Sequence, residues 1–173
     1  MLVSGEADLA IATEKLTDAS DLVTFPAYSW HHALIVPESH PLAAEAELHL
    51  EQIAEYPIIT YTEGFTGRGQ IDAAFAAAGL TPDIVLSAID ADVIKTYVEL
   101  GLGIGIVAAM AFDPRKDAGL SLLPADRLFP ANITRIGIRN GAWLRDYAYR
   151  FVELLAPDLS REEIKRQVFP TEA

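Results

Sequence analysis

The sequence has 173 residues, of which 51% are hydrophobic and 22% are charged, and its mean hydropathy is +0.21. These proportions are typical of a globular chain with a substantial core, and they exclude intrinsic disorder. Acidic residues outnumber basic ones by 25 to 13, so the formal net charge of -12 argues against a general grip on nucleic-acid phosphates. The absence of cysteine excludes disulfides, thiolate metal sites and cysteine nucleophiles.

The first residues do not predict a targeting signal. The first residues lack a basic segment followed by an apolar run, so a signal peptide is not predicted. No apolar stretch reaches the roughly 18 residues that a membrane span needs. We therefore expect a cytoplasmic protein without membrane contact. Leu2 and Val3, followed by Ser4 and Gly5, resemble the last turn of a helix with its glycine cap, which suggests residues upstream.

Hydrophobic periodicity and turn residues predict alternating strands and helices. In chain order they are strand 9–12, strand 22–25 stopped by Pro26, strand 32–36 closed by Pro37, helix 48–56, strand 57–61, helix 70–78, strand 84–86, a helix capped within 90–92 and ending at Leu100, strands 104–108, 120–123 and 133–138, helix 143–155, and a short helix opened by the capping box 160–163. Apolar strands in such an order predict an α/β fold with mainly parallel pairing and helices on the faces.

The richest segment chemically is 60–68, which lies between a predicted strand and a predicted helix. It contains three threonine hydroxyls, glycines that free the backbone, and one arginine. A helix N-terminus offers unpaired N–H groups and a positive partial charge, which suit an anion. The alternative is ordinary turn chemistry with Thr66 as the helix N-cap, and spacing alone leaves the two readings equal. No Gly-Lys-Ser/Thr follows, so the segment is not a phosphate loop of the Walker type.

Three other patterns have structural interpretations that outweigh the functional ones. The glycines at 101, 103 and 105 follow a helix and precede a strand, the reverse of a dinucleotide-binding motif, and predict a closely packed turn. The adjacent His31 and His32 face opposite sides of a strand, so a shared metal is not expected and surface or inter-lobe positions are favoured. Asp90 and Asp92 are better explained as helix caps than as paired catalytic carboxylates.

The sequence also resembles a known family. Its segments 5–14, 61–68, 81–82, 90–98 and 101–105 are similar to the effector-binding domain of LysR-type transcriptional regulators, and within them to the CysB-type regulators of sulfur assimilation, including Cbl. The resemblance extends from Gly5 to about Pro157. It implies two Rossmann-like lobes of the periplasmic-binding-protein type 2, with the effector between them. Lobe one would comprise 1–27 and 133–173 and be incomplete, and lobe two would comprise 28–132.

The resemblance also implies ligands and partners. In the family the ligands are acetylserine-type inducers and small anions such as sulfate, thiosulfate or sulfide, and a separate helix-turn-helix domain contacts DNA. We expect a homo-oligomer without cofactor or metal, and not an enzyme. The predicted effector-binding residues are Thr13, Glu14, Trp30, Thr62, Thr66, Gly67 and Arg68.

Two alternatives come from other functional classes. A solute-binding protein for a small anion would share the two-lobed fold, but neither an export signal nor a lipidation cysteine supports it. An α/β enzyme would need a nucleophile and base pair, and the sequence offers no convincing one.

Overall fold

The computed structural model describes residues 1–13, 16 and 20–169. Its strands are β1 (Ala10–Ala12), β2 (Leu22–Trp30), β3 (His32–Pro37), β4 (Ile58–Tyr61), β5 (Ile84–Ala88), β6 (Ile104–Ala108), β7 (Leu120–Pro124) and β8 (Asn132–Arg139). Its α-helices are α1 (Leu50–Ile53), α2 (Arg68–Ala77), α3 (Ala91–Glu99), α4 (Asp146–Leu155) and α5 (Arg161–Val168), with 3-10 helices at Pro41–Ala44 and Ala109–Ala111. Among these helices, none is both long and apolar enough to cross a bilayer.

The chain divides into two compact units. Unit one comprises Met1–Ser29 and Ile133–Ala173, and unit two comprises Trp30–Asn132. Unit two contains a five-stranded sheet in the order β5-β4-β6-β3-β7. In it β4 is parallel to β5 and β6, whereas β3 is antiparallel to β6 and β7.

The sheet of unit two is therefore mixed, and the prediction of mainly parallel pairing was wrong. Strand β3 is the reason, because it runs against both of its neighbours. Its residues from His32 to Val36 are all buried, as are those of β6. A continuous apolar run reports burial on both faces of a sheet, which parallel and antiparallel central strands share.

Alternate residues of β3 enter cores on opposite faces of the sheet of unit two. Leu34 and Val36 pack into one core together with α2, while Ile35 packs into the other together with α3. This alternation follows from the two-residue period of a strand. The result is a helix–sheet–helix sandwich in which α2 covers one face and α3 the other.

Unit one contains the three-stranded sheet β1-β8-β2, with β1 antiparallel to β8. Its core joins Ile136 and Ile138 of β8 to Tyr149 and Val152 of α4 and Ile164 of α5. The predicted capping box is confirmed at α5, where the Ser160 hydroxyl accepts from the N–H of Glu163 at 3.2 Å. At the start of the chain, the N–H groups of Gly5 and Glu6 donate to the carbonyls of Leu2 and Met1, as the predicted glycine-capped turn requires.

Three predicted boundaries were wrong. Strand β2 continues through Pro26 to Trp30, because it lies at an edge of its sheet in the described residues, where a missing N–H costs no ladder bond. The helix predicted at 48–56 has only four residues, since the Gln52 side chain accepts from the His49 N–H and starts the helix at Leu50. Helix α4 begins at Asp146 rather than at 143.

Candidate functional site

The segment 62–67, called here the 62–67 loop, connects the carboxyl end of β4 to the first turn of α2. Because β4 is parallel to both of its neighbours, the loop lies beyond the edge where ligands bind in open α/β sheets. Its backbone is closed by hydrogen bonds from the Phe65 N–H to the Thr62 carbonyl at 3.1 Å and from the Arg68 N–H to the Phe65 carbonyl at 2.9 Å. The loop is thus a defined turn that ends directly on a ten-residue helix.

The last two residues of the loop both have left-handed backbone conformations. Thr66 has φ 44°, and it is the one non-glycine residue with positive φ in the described part of the chain. Gly67 has φ 69° and is the N-cap of α2, so the alternative that placed Thr66 at the N-cap was wrong. For a β-branched residue this conformation costs on the order of 1–3 kcal/mol, and such strain clusters at binding sites.

Two buried polar side chains support this strained pair. His32 and Asn132 are only 1% and 3% exposed. The His32 Nε2 atom lies 3.2 Å from the carbonyl oxygen of Thr66, and its Nδ1 atom lies 3.2 Å from the Asn132 amide nitrogen. Because a carbonyl only accepts, Nε2 carries the ring hydrogen and Nδ1 accepts from Asn132. This network assigns the neutral Nε2–H tautomer to His32.

The surroundings of His32 favour the same neutral form. Burial lowers the pKa of the imidazole from 6.5 to about 4, while the hydrogen bond to Thr66 raises it and the charge of His31 lowers it by less. The rings of Trp30 and Phe129 contact His32 edge-on, with centroids 5.0 and 5.9 Å away. The histidine is therefore held in place by aromatic walls and hydrogen-bonded at both nitrogens.

Gly67 packs directly on this pair. A Cβ atom at Gly67 would overlap the Asn132 side-chain oxygen and lie 2.9 Å from the His32 Cε1 atom. Only glycine satisfies both the left-handed backbone and this close approach. The 62–67 loop thus rests on side chains from two distant segments of the sequence.

The Arg68 side chain forms its hydrogen bonds within the protein. Its side chain is buried, its Nε atom donates to Asp72 at 2.7 Å, and one terminal nitrogen donates to the Tyr61 carbonyl at 2.7 Å. Its N–H already donates to Phe65. Within the described residues the N–H groups of Thr66 and Gly67 have no hydrogen-bond acceptor, and neither do the hydroxyls of Thr62 and Thr66.

The remaining predicted site residues lie elsewhere. Trp30 is 7% exposed and belongs to unit two, where it contacts His32. Thr13 belongs to unit one, and its hydroxyl lies 3.5 Å from that of Thr134. Glu14 lies outside the described residues. A role for Thr13, Glu14 and Trp30 in the same site as Thr66 stays a prediction.

Sequence reasoning missed His32 and Asn132. It treated the two adjacent histidines alike, but His31, which lies between β2 and β3, is exposed, whereas His32, the first residue of β3, is buried. The available signal was that His32 begins a continuous apolar run, 32–36, which β3 buries completely. In the described residues no cluster of three or more His, Asp or Glu side chains suits a metal ion.

The structural interpretations of the other motifs are confirmed. Gly103 packs against the main-chain carbonyl of Pro57, and Gly105 against side chains of α3 and β3. The Asp90 side chain accepts from the N–H of Asp92 at 2.7 Å and caps α3.

A buried ion pair that the sequence did not indicate links α3 to residue 117. The Lys95 ammonium lies 2.9 Å from Asp117 and 2.8 Å from the exposed Asp92, and it also donates to the Ala111 carbonyl. Burial lowers the pKa of Lys95, but hydrogen bonds and charges of Asp92 and Asp117 together outweigh it, so the net pKa is raised. All three donors of the ammonium have protein partners, so the charge of Lys95 is compensated within unit two.

Comparison with known proteins assigns this architecture. The family model described as LysR substrate binding domain matches residues 1–160. The HTH-type transcriptional regulator SsuR of Burkholderia cenocepacia is 61% identical over 164 residues, and CysB of the same organism is 54% identical over 166. These alignments include 95% and 96% of this chain but 53% of each relative, so the chain spans about half the length of the curated relatives it matches.

A solved structure agrees with the sequence matches. The cofactor-binding domain of the Cbl transcriptional regulator superimposes with a TM-score of 0.94 at 50% identity. That alignment covers 98% of this chain and 75% of the other. The two-lobed α/β architecture expected from the sequence is therefore confirmed, with mixed rather than mainly parallel sheets.

Proposed function

We propose, because the chain belongs to the LysR substrate-binding domain family, that it is the effector-sensing part of a transcriptional regulator of sulfur metabolism and that its 62–67 loop binds a small anion. Sulfate and acetylserine-like molecules are the candidate ligands. The proposed role is binding rather than catalysis, which agrees with relatives that are named transcriptional regulators.

The observation that carries the proposal is the strained end of the loop. Thr66 and Gly67 present two N–H groups without acceptors in the described residues, directly at the N-terminus of α2. The positive end of a ten-residue helix favours negative charge there. The threonine hydroxyls at 62 and 66 add two donors beside it. Arg68 contributes by fixing the loop to Tyr61 and Asp72 rather than by binding the ligand through its side chain.

The proposed regulatory mechanism is a shift between conformations of the domain. A ligand shifts such an equilibrium only by its difference in affinity between the states. The regulator would act in the cytoplasm as a homo-oligomer and contact DNA through a helix-turn-helix domain. The net charge of -12 supports the proposal that the helix-turn-helix domain contacts DNA and that this domain does not.

An exposed apolar stripe on α4 supports the proposed oligomer. Tyr147, Phe151 and Leu154 are 61%, 45% and 70% exposed, and their spacing of four and three places them on one face of α4; Trp143, which precedes the helix, is 79% exposed. Apolar patches of this kind mark interaction surfaces. Light scattering on the 173-residue chain should give at least twice the mass of one chain, and a monomer at all concentrations would contradict this part of the proposal.

Calorimetry with sulfate and with O-acetylserine tests the ligand site. Losing one hydrogen bond to a charged ligand costs about 1.5–3 kcal/mol, so Thr66→Ala should weaken binding about tenfold or more. Thr96→Ala is the matched control, because its hydroxyl donates to the Asp92 carbonyl on the exposed side of α3. Equal affinity of the two variants would show that the Thr66 hydroxyl does not bind the ligand.

A further inference from the structure

The 62–67 loop depends on side chains that its own sequence does not contain. His32 begins β3 and Asn132 begins β8, and they precede and follow the loop by 30 and 65 positions. Both are nearly inaccessible to solvent, and each polar atom of the His32 ring has a partner. His32 is thus buried and hydrogen-bonded at both ring nitrogens, directly beside a strained loop.

The left-handed backbone at Thr66 would not persist without outside support. A β-branched residue strongly prefers right-handed or extended backbone, so an unsupported loop would rotate its peptide groups away from the present arrangement. The Nε2–H of His32 holds the Thr66 carbonyl, and the carbonyl direction determines where the N–H of Gly67 points because both belong to one planar peptide. Asn132 holds His32 in the required tautomer and packs against Gly67.

We propose that His32 and Asn132 are the positioning residues of the anion site: they fix the Thr66–Gly67 peptide so that its N–H points at the ligand before the ligand arrives. The proposal rests on the proposed function of the 62–67 loop and adds the source of its rigidity. Binding to a preorganised loop avoids the cost of ordering it, so affinity should depend on two side chains that do not themselves touch the ligand.

The test compares two substitutions at one position. His32→Leu fills the buried position with an apolar side chain that can form neither hydrogen bond. His32→Gln retains one donor and one acceptor on its amide. His31→Leu repeats the first substitution at the exposed neighbour. Ile53→Val lowers stability in a fully buried position of α1 that does not contact the loop. Each variant is titrated with sulfate and with O-acetylserine by calorimetry.

A second measurement does not require a ligand. Amide hydrogen exchange is followed at Phe65, Arg68 and Gln70, whose N–H groups donate to Thr62, Phe65 and Gly67 and so report closure of the loop. In His32→Leu these three amides should exchange at least tenfold faster than in the parent chain, relative to the protected strand Ile104–Ala108. In Ile53→Val the ratio between loop and strand should stay unchanged.

The expected pattern is an at least tenfold weaker affinity in His32→Leu, recovery to within about threefold in His32→Gln, and parent affinity in His31→Leu and Ile53→Val. Parent affinity in His32→Leu would overturn the positioning role. If the parent chain binds neither probe, the proposed ligand class is wrong. In that event exchange decides: faster loop exchange in His32→Leu supports the positioning role, and unchanged exchange overturns it.

Discussion

Two glycine-containing connections in unit two look alike in sequence and differ in what their glycines contact. The 62–67 loop leads from β4 into α2, and the segment 100–103, called here the 100–103 turn, leads from α3 into β6. In the turn, Gly103 approaches the main-chain carbonyl of Pro57. In the loop, Gly67 approaches two polar side chains, Asn132 and His32.

The difference separates a glycine that only packs from a glycine at the proposed binding site. The Pro57 carbonyl also accepts from the N–H of Ile104 at 2.9 Å, so the 100–103 turn joins β4 to β6 and leaves this oxygen satisfied. The 62–67 loop instead ends with two N–H groups that have no acceptor in the described residues. Glycine content alone therefore does not indicate a ligand site, whereas N–H groups without acceptors support the proposed one.

The largest effect is expected at Gly103. In Gly103→Ala the new methyl group would overlap a main-chain oxygen, which cannot rotate away as a side chain does. Relief requires β4 and β6 to separate, so the free energy of unfolding should fall by about 3 kcal/mol or more. Urea denaturation measures this change. A loss below about 1 kcal/mol would show that the turn is not closely packed. The folded fraction of Gly103→Ala should bind sulfate with the affinity of the parent chain.

The second effect is a pH dependence that belongs to the loop and not to the turn. His32 has a pKa lowered by burial from 6.5 to about 4, so the folded chain stays unprotonated where the unfolded chain binds a proton. The stabilisation is complete above about pH 6.5 and is lost as the pH falls towards 4. A shift of this size corresponds to about 3 kcal/mol.

The control for this pH effect is His32→Gln, which has no titrating group at the position. Burial also lowers the pKa of His40, and carboxylates such as Asp92 have lowered pKa values that affect stability at still lower pH. These groups are common to both proteins, so the difference between the two stability curves isolates His32. Parallel curves between pH 7 and 4 would contradict a buried neutral histidine.

The sequence predicted the connections better than it predicted their surroundings. The cap at Asp90 and the opening of α5 at Ser160 follow from local hydrogen-bonding chemistry, which nearby residues determine. The antiparallel direction of β3 and the continuation of β2 through Pro26 depend on strand neighbours distant in sequence. The support of Thr66 by His32 and Asn132 spans 34 and 66 positions, so no local pattern indicates it.

The third prediction concerns Gly67, where backbone strain and overlap coincide. Gly67→Ala should lower the free energy of unfolding by about 2 kcal/mol, less than Gly103→Ala, because the overlapped Asn132 side chain can rotate away. Unlike Gly103→Ala, it should also weaken sulfate binding about tenfold, since the displaced Asn132 no longer holds His32. If Gly67→Ala bound sulfate as tightly as the parent chain does, the backbone of the 62–67 loop would not be part of the ligand site.

The smallest effect is expected at Gly101, which isolates backbone strain from overlap. Gly101 has φ 76°, but nothing lies within 4 Å of an added Cβ atom. Its N–H donates to Val98 and that of Leu102 donates to Tyr97, the pattern of a left-handed helix cap. Gly101→Ala should therefore cost about 1 kcal/mol, the strain of a left-handed alanine alone.

That value calibrates the comparison between the two connections. Subtracting this value from the loss of unfolding free energy in Gly67→Ala gives the cost of the overlap with Asn132. Asn132→Ala in the Gly67→Ala background should relieve that overlap. The double variant should then lose less unfolding free energy than the two single variants lose together. Its sulfate affinity should stay low because Asn132 is absent. Strict additivity would mean that Gly67 and Asn132 do not contact each other.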